Sequence, residues 1–157
     1  KAQPDIGLDE DFGLWLDPVS RHLYVCGGEG TGNSHLASVE RYDVDNDQWT
    51  LMADLPLSLK GPLCVEEGGR MVLFGGEAGH ATAGSFLSSL VYVYRQDADL
   101  WVESETQLPV PVRDLAGCTA SSCATHRGMP ARDEWCFLAG GAGSSADRQD
   151  LFRFYTR

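Results

Sequence analysis

Leu23-Tyr24-Val25-Cys26-Gly27-Gly28 is the stretch that decides the fold: a short apolar run stopped by two glycines. The phrase returns as Met71-Val72-Leu73-Phe74-Gly75-Gly76 and again as Trp135-Cys136-Phe137-Leu138-Ala139-Gly140-Gly141. Tyr42 and Trp49 follow the first copy, and Tyr94 and Trp101 follow the second, each pair seven positions apart. From Gly27 to Gly75 is 48 residues, and from Gly75 to Gly140 is 65. Self-similarity at an interval of about 20–50 residues marks a repeat architecture, in which each unit stacks on its neighbours to bury a shared core. The interval here matches one four-stranded unit, with an insertion in the third.

An apolar strand, Gly-Gly, then Tyr and Trp at this period resembles the kelch repeat. Ser38-Val39-Glu40-Arg41-Tyr42-Asp43, followed by Trp49 and Ala53-Asp54-Leu55-Pro56, is most similar to the kelch domains of the BTB-kelch (kelch-like) ubiquitin-ligase adaptors. The resemblance covers nearly the whole chain after Gly13. It implies an all-β fold, a partial kelch β-propeller of about three four-stranded blades with the last incomplete. Residues 1–12, polar and acidic, read as a linker or tail; 13–60 are repeat one, 61–115 repeat two, and 116–157 an incomplete repeat three.

Strands are expected from Phe12 to Leu16, His22 to Cys26, Ser38 to Asp43 and Gln48 to Met52. In repeat two they are expected over Pro62–Val65, Arg70–Phe74, Leu90–Tyr94 and around Trp101. Asp- and Asn-rich residues 43–47 suit a tight hairpin turn. That turn puts Tyr42 and Trp49 on the two arms of one hairpin, where large rings can fill the space between blades. Burying one such ring is worth roughly 4–6 kcal/mol gross. In repeat three, about 16 extra residues between Cys118 and Trp135 read as a surface excursion. Phe154 then stands in the place of Tyr42, and the matching Trp would fall beyond Arg157. Propellers close as rings of about four to eight blades. Three expectations stay open: a fragment of a longer protein, two copies completing a ring of six, or segments missing from the chain as recorded.

The bulk numbers fit a globular chain of 157 residues with 43% hydrophobic content and mean hydropathy −0.22. No apolar run approaches the ~18 residues of a membrane span, and the N-terminus has no charged-then-apolar signal pattern. The chain begins at Lys1, as a processed or excised piece would. Five cysteines without a short-spaced framework point to reduced thiols and a cytoplasmic setting. A net charge of −11 disfavours nucleic acid and anionic membranes, and attracts a basic or mixed-charge protein or peptide.

Gly27-Gly28-Glu29-Gly30-Thr31-Gly32-Asn33-Ser34 comes within one residue of a phosphate-binding loop, but Asn33 stands where the lysine would be. A glycine-rich connection is the stronger reading. Cys118, Cys123, His126 and Cys136 offer three thiols and an imidazole at C-x4-C-x2-H-x9-C, which is not a compact zinc knuckle. Free cysteines in and beside a strand are the stronger reading. No nucleophile elbow or His-Glu-x-x-His appears, and no carboxylate pair stands out as acid and base. The resemblance includes a copper oxidase acting on galactose, yet nothing here matches its copper site beyond the shared fold. The reading is of a chain that is not an enzyme and needs no cofactor or metal.

Binding remains. In the adaptors the chain resembles, partners dock on the face made by loops joining second and third strands and by the segments between blades. Carried onto this chain, the loops supply Glu29, Thr31, Asn33, His35, Glu77, His80, Thr82, Ser144, Ser145 and Arg148. The inter-blade segments supply Ser58, Lys60, Arg113 and Asp114. The resemblance further implies substrate recognition for a cullin-RING ligase, whose other components would bind through regions absent here. A scaffolding role in cytoskeletal or other assemblies is the alternative.

Overall fold

The computed structural model describes residues 8–80, 84–121, 134–143 and 151–154. Every regular element among them is a β-strand. Blade one consists of Gly13–Asp17, His22–Cys26, Val39–Asp43 and Gln48–Met52, joined in that order as one antiparallel sheet. Blade two repeats it with Leu63–Glu67, Arg70–Phe74, Val91–Arg95 and Leu100–Glu103. Blade three contributes Ala116–Ser121, Glu134–Ala139 and Leu151–Phe154. These strands fall where the sequence placed them, within two or three residues at each end.

Within each blade, alternate residues point to opposite faces, and the faces of consecutive blades meet. From blade one, Trp15, Tyr24, Cys26 and Val39 meet Cys64, Met71, Leu73, Tyr92 and Tyr94 of blade two in one buried cluster. The opposite face of blade two sends Val65, Val72, Phe74 and Val91 against Cys136 and Leu138 of blade three. Two seams therefore make the core.

The repeated aromatics share one hairpin geometry, but among the described residues only the second pair fills a space between blades; Tyr42 and Trp49 lie on the other face of blade one. Tyr42 lies opposite Trp49 across its hairpin and Tyr94 opposite Trp101. Ring centroids are 5.0 Å apart in both pairs, with planes at 37° and 40°. Tyr42 donates to Asp47 Oδ1 at 2.6 Å, and Tyr94 to Asp99 Oδ1 at 2.7 Å. At the first seam this trio grips the neighbouring blade. Trp101 Nε1 donates to the Ala53 carbonyl at 3.1 Å, and the Ala53 amide donates to Asp99 at 2.9 Å.

The glycine pairs turn the chain out of the second strand at the seam. Gly27 and Gly75 both have φ of 62°, and a Cβ on either would fall on the carbonyl of Leu59 or Val112 in the next inter-blade segment. Gly28 N–H donates to Leu59 O at 2.8 Å and Gly76 N–H to Val112 O at 2.9 Å. A side chain would both strain the left-handed backbone and push these segments apart.

Two features exceed the sequence expectation. Residues 29–35 and 77–88, expected as loops, contain short strands: Glu29–Gly30 pairs with Ser34–His35, and Glu77–His80 with Gly84–Leu87. Leu8–Glu10, expected within a linker or tail, is instead a strand that completes the first small sheet, and the inter-blade residues Leu59–Lys60 complete the second. Glycine-rich sequence hides such strands, because their pairing within the loop and with the segment beside it outweighs weak local propensity. The expected excursion between Cys118 and Trp135 falls largely on 122–133, outside the described residues.

Candidate functional site

The small sheets lie side by side at one end of the blades and gather the expected binding residues. Three equivalent residues, Asp11, Gly61 and Asp114, each just before a blade, all have left-handed φ, at 57°, 61° and 56°. They form a backbone ladder across successive blades: Gly61 N–H donates to Asp11 O at 2.7 Å and Asp114 N–H to Gly61 O at 2.9 Å. One residue earlier stand Glu10, Lys60 and Arg113. Each cation reaches back to the acid after the preceding blade's glycine pair: Lys60 pairs with Glu29, and Arg113 with Glu77 at 3.2 Å. Lys60 also lies 3.3 Å from Asp11, and Arg113 lies 2.9 Å from Asp114. Gly-Gly-Glu and a cation thus form an inter-blade clasp, made twice; the third glycine pair is followed by Ala142, which makes a backbone bridge with Arg113.

Among the described residues this rim is acidic on balance. It holds the carboxylates of Glu10, Asp11, Glu29, Glu77 and Asp114 against the cations of Lys60 and Arg113. Glu29 above all, then Asp11, hold the Lys60 ammonium above its usual range. Burial pushes the Asp114 carboxyl up, with Asp11 and Glu77 adding to the rise and Arg113 and Lys60 opposing it. Glu10, Asp11 and Glu29 bring carboxylate oxygens within 4.8 Å of one another, close enough for a metal ion. Lys60 already supplies the positive charge there, so the cluster reads as an internal ion pair.

Beside the rim runs a groove of about 420 Å³ between the first two blades. His35 of the first small sheet forms one wall, and Ala78, Gly79, Gly84 and Phe86 of the second form the other, with Leu57 and Ser58 between. The ring of Phe86 is 60% exposed, whereas Leu59 and Ala78 on the same face are buried. His35 Nδ1 is buried and has no hydrogen-bond partner among the described residues. Another cavity, about 310 Å³ and lined by Arg70, Val93, Val102 and Thr106 among others, lies on the blade-three side of blade two. Thr106 precedes Leu108-Pro109 as Ala53 precedes Leu55-Pro56, so this cavity occupies the position that Trp101 fills at the first seam.

The structure brings some of the expected residues together and not others. Glu29, Lys60, Glu77, Arg113 and Asp114 come together at the rim; Glu77 also accepts from Ser85. His35 and Ser58 line the groove. Thr31 and Asn33 stand exposed in the intervening turn, Asn33 with φ of 58°. His80 ends its strand, while Thr82, Ser144, Ser145 and Arg148 lie outside the described residues. Sequence reasoning missed Phe86, Leu57, Glu10 and Asp11. The one signal for Phe86 was a large ring alone in a Gly- and Ser-rich stretch.

Residues 27–34, the near match to a phosphate loop, form a hairpin that leads into strand Val39–Asp43 with no helix to offer its amides. Of the four possible zinc ligands, Cys123 and His126 lie outside the described residues. Cys118 and Cys136 point to opposite faces, because Cys118 pairs with Phe137 while the adjacent Thr119 pairs with Cys136. Those two thiols do not converge on one ion.

Comparison with known proteins agrees with the geometry. Residues 19–56 match the family model described as the Kelch motif. The chain is 35% identical over 89 residues to human (Homo sapiens) Kelch-like protein 34, covering 56% of this chain and 14% of that protein. It is 34% identical over 89 residues to Kelch-like protein 38 of Rattus norvegicus, again covering 55% and 14%. Beta-scruin of Limulus polyphemus is 27% identical over 106 residues, covering 66% and 11%. The chain therefore corresponds to about one seventh of the length of the kelch-like relatives. Among solved structures, that of YjhT aligns with a TM-score of 0.65 at 16% identity, covering 90% of this chain and 36% of that one. The chain carries kelch-type repeats in a β-propeller fold and resembles BTB-kelch proteins; such repeats support a protein-interaction module.

Proposed function

We propose that this chain is the partner-recognition part of a BTB-kelch adaptor, presenting substrates to a cullin-RING ubiquitin ligase in the cytoplasm. The observation that carries the reading is the gathering of both inter-blade clasps and the groove on one side of a rigid stack. Loops fixed by a scaffold are where recognition concentrates, and an acidic rim suits a basic partner. The similarity to Kelch-like proteins 34 and 38 supports the adaptor role, and the similarity to scruin supports the alternative of a scaffold in an assembly. Glu29, Glu77 and Asp114 are each engaged by a cation, an arrangement suited to holding blades together and not to proton transfer.

The test is made on the full-length parent protein. Cullin association and ubiquitylation of a bound partner are measured for the parent and for a Phe86→Ala, Asp114→Asn double variant. The adaptor reading expects cullin association to persist while partner binding and ubiquitylation fall together. Partner binding without any cullin association favours the scaffold. No partner captured through this face contradicts both.

A further inference from the structure

We propose that the groove receives an extended basic peptide, which adds to Gly84–Leu87 as a fourth strand of the second small sheet. The inference rests on the interaction reading above and specifies its partner. In that sheet the order is Gly84–Leu87, Glu77–His80, Leu59–Lys60, so Gly84–Leu87 is an edge among the described residues. Gly84, Ser85 and Phe86 are all exposed. An exposed edge presents backbone donors and acceptors ready for another strand.

The two faces of that edge dictate the peptide's side chains. Phe86 pairs with Ala78, and Ala78 with Leu59, which places all three on the groove face. Ser85 and Leu87 share the opposite face with Glu77, the acid of the second clasp. An added strand must alternate in the same way. One residue would send an apolar side chain into the groove against Phe86 and Leu57, near the His35 Nδ1 that has no partner among the described residues. Its neighbours would point toward the carboxylates of the rim. The sequence that fits is therefore an aliphatic or aromatic residue flanked by Lys or Arg.

Charge decides between occupants. Among the described residues five carboxylates face two cations at the rim, and the chain as a whole carries −11. A second copy of this chain brings the same negative field and is repelled, whereas a cationic peptide is drawn in.

The probe is a phage-displayed random dodecapeptide library selected on the full chain, with synthetic versions of the enriched peptides measured by fluorescence polarisation. Expected are sequences alternating apolar and Lys/Arg residues, and at least a tenfold loss of affinity on Phe86→Ala. Affinity should also fall about tenfold between 0.1 and 0.5 M salt. N-methylation at every second peptide residue should abolish binding while methylation between them does not, as backbone pairing on one edge requires. An unchanged melting temperature for Phe86→Ala confirms that its exposed ring is not needed for folding. Enriched peptides indifferent to Phe86→Ala, or to N-methylation, overturn strand addition but leave the interaction reading standing. Failure to enrich any peptide overturns it as well, and the interaction reading then fails only if the full-length parent also captures no partner through this face.

Discussion

The two faces of blade one share a backbone and differ in how far their large apolar side chains are covered. Toward blade two, Tyr24 is 3% exposed and meets Tyr94, 0% exposed, edge-on at 5.9 Å. On the opposite face Leu14, Leu16 and Leu51 are 50%, 54% and 57% exposed. Strand pairing is complete on both sides, so hydrogen bonds alone do not distinguish them. What differs is whether a second sheet covers the face, and hydrophobic burial follows from that. A blade is thus half of a structural unit, and the seam is the unit.

The largest expected effect comes from removing the wedge at the seam. Trp101→Ala deletes a ring packed against the first core and its bond to Ala53, and should cost about 3–5 kcal/mol in denaturant unfolding. Trp49→Ala, the matching change on the other face, should cost less than half as much; equal losses would break the comparison. Next comes Gly75→Ala. A left-handed residue and a Cβ on the Val112 carbonyl together should cost roughly 2–3 kcal/mol, seen as a lower melting temperature. The clasp is smaller. Glu29→Ala removes the main partner of a mostly buried Lys60 and should cost about 1–2 kcal/mol. The Glu77 clasp, more exposed, should be worth less.

Alkaline pH sharpens the same contrast. Burial, with the Asp99 hydrogen bond and charge adding to it, pushes the Tyr94 phenol well above its usual value. Unfolded tyrosine ionises near pH 10 while folded Tyr94 stays protonated. Its contribution is therefore complete below about pH 10 and is lost progressively above it. Tyr94→Phe should flatten the fall in stability between about pH 10 and 11.5 more than Tyr42→Phe does. The smallest effect is expected for Leu16→Lys on the open face, within about 0.5 kcal/mol of the parent.

Much of the fold was legible because its signals are local. Apolar runs ending in Gly27-Gly28 and Gly75-Gly76, and Tyr and Trp across one hairpin, mark strands and seam together. The clasps were half legible: Glu29, Glu77, Lys60 and Arg113 were all read as recognition residues, but not as partners of one another. Glu29 and Lys60 are 31 positions apart, and only the register of neighbouring blades joins them. Yet the repetition of Gly-Gly-Glu, with a cation at matching places before the next repeat, was there to be read. The groove was least legible, since Phe86 sits in a glycine- and serine-rich segment whose strand exists only because Glu77–His80 pairs beside it.

Stacking of blades through repeated aromatic wedges is most directly tested by the indole N–H of Trp101, followed by hydrogen exchange in NMR. Bonded to the Ala53 carbonyl within the seam, it should exchange at least about 100-fold more slowly than a free indole, opening only when the blades part. Exchange at the free-indole rate would contradict the seam, and with it the rigid rim and groove that the proposed recognition needs.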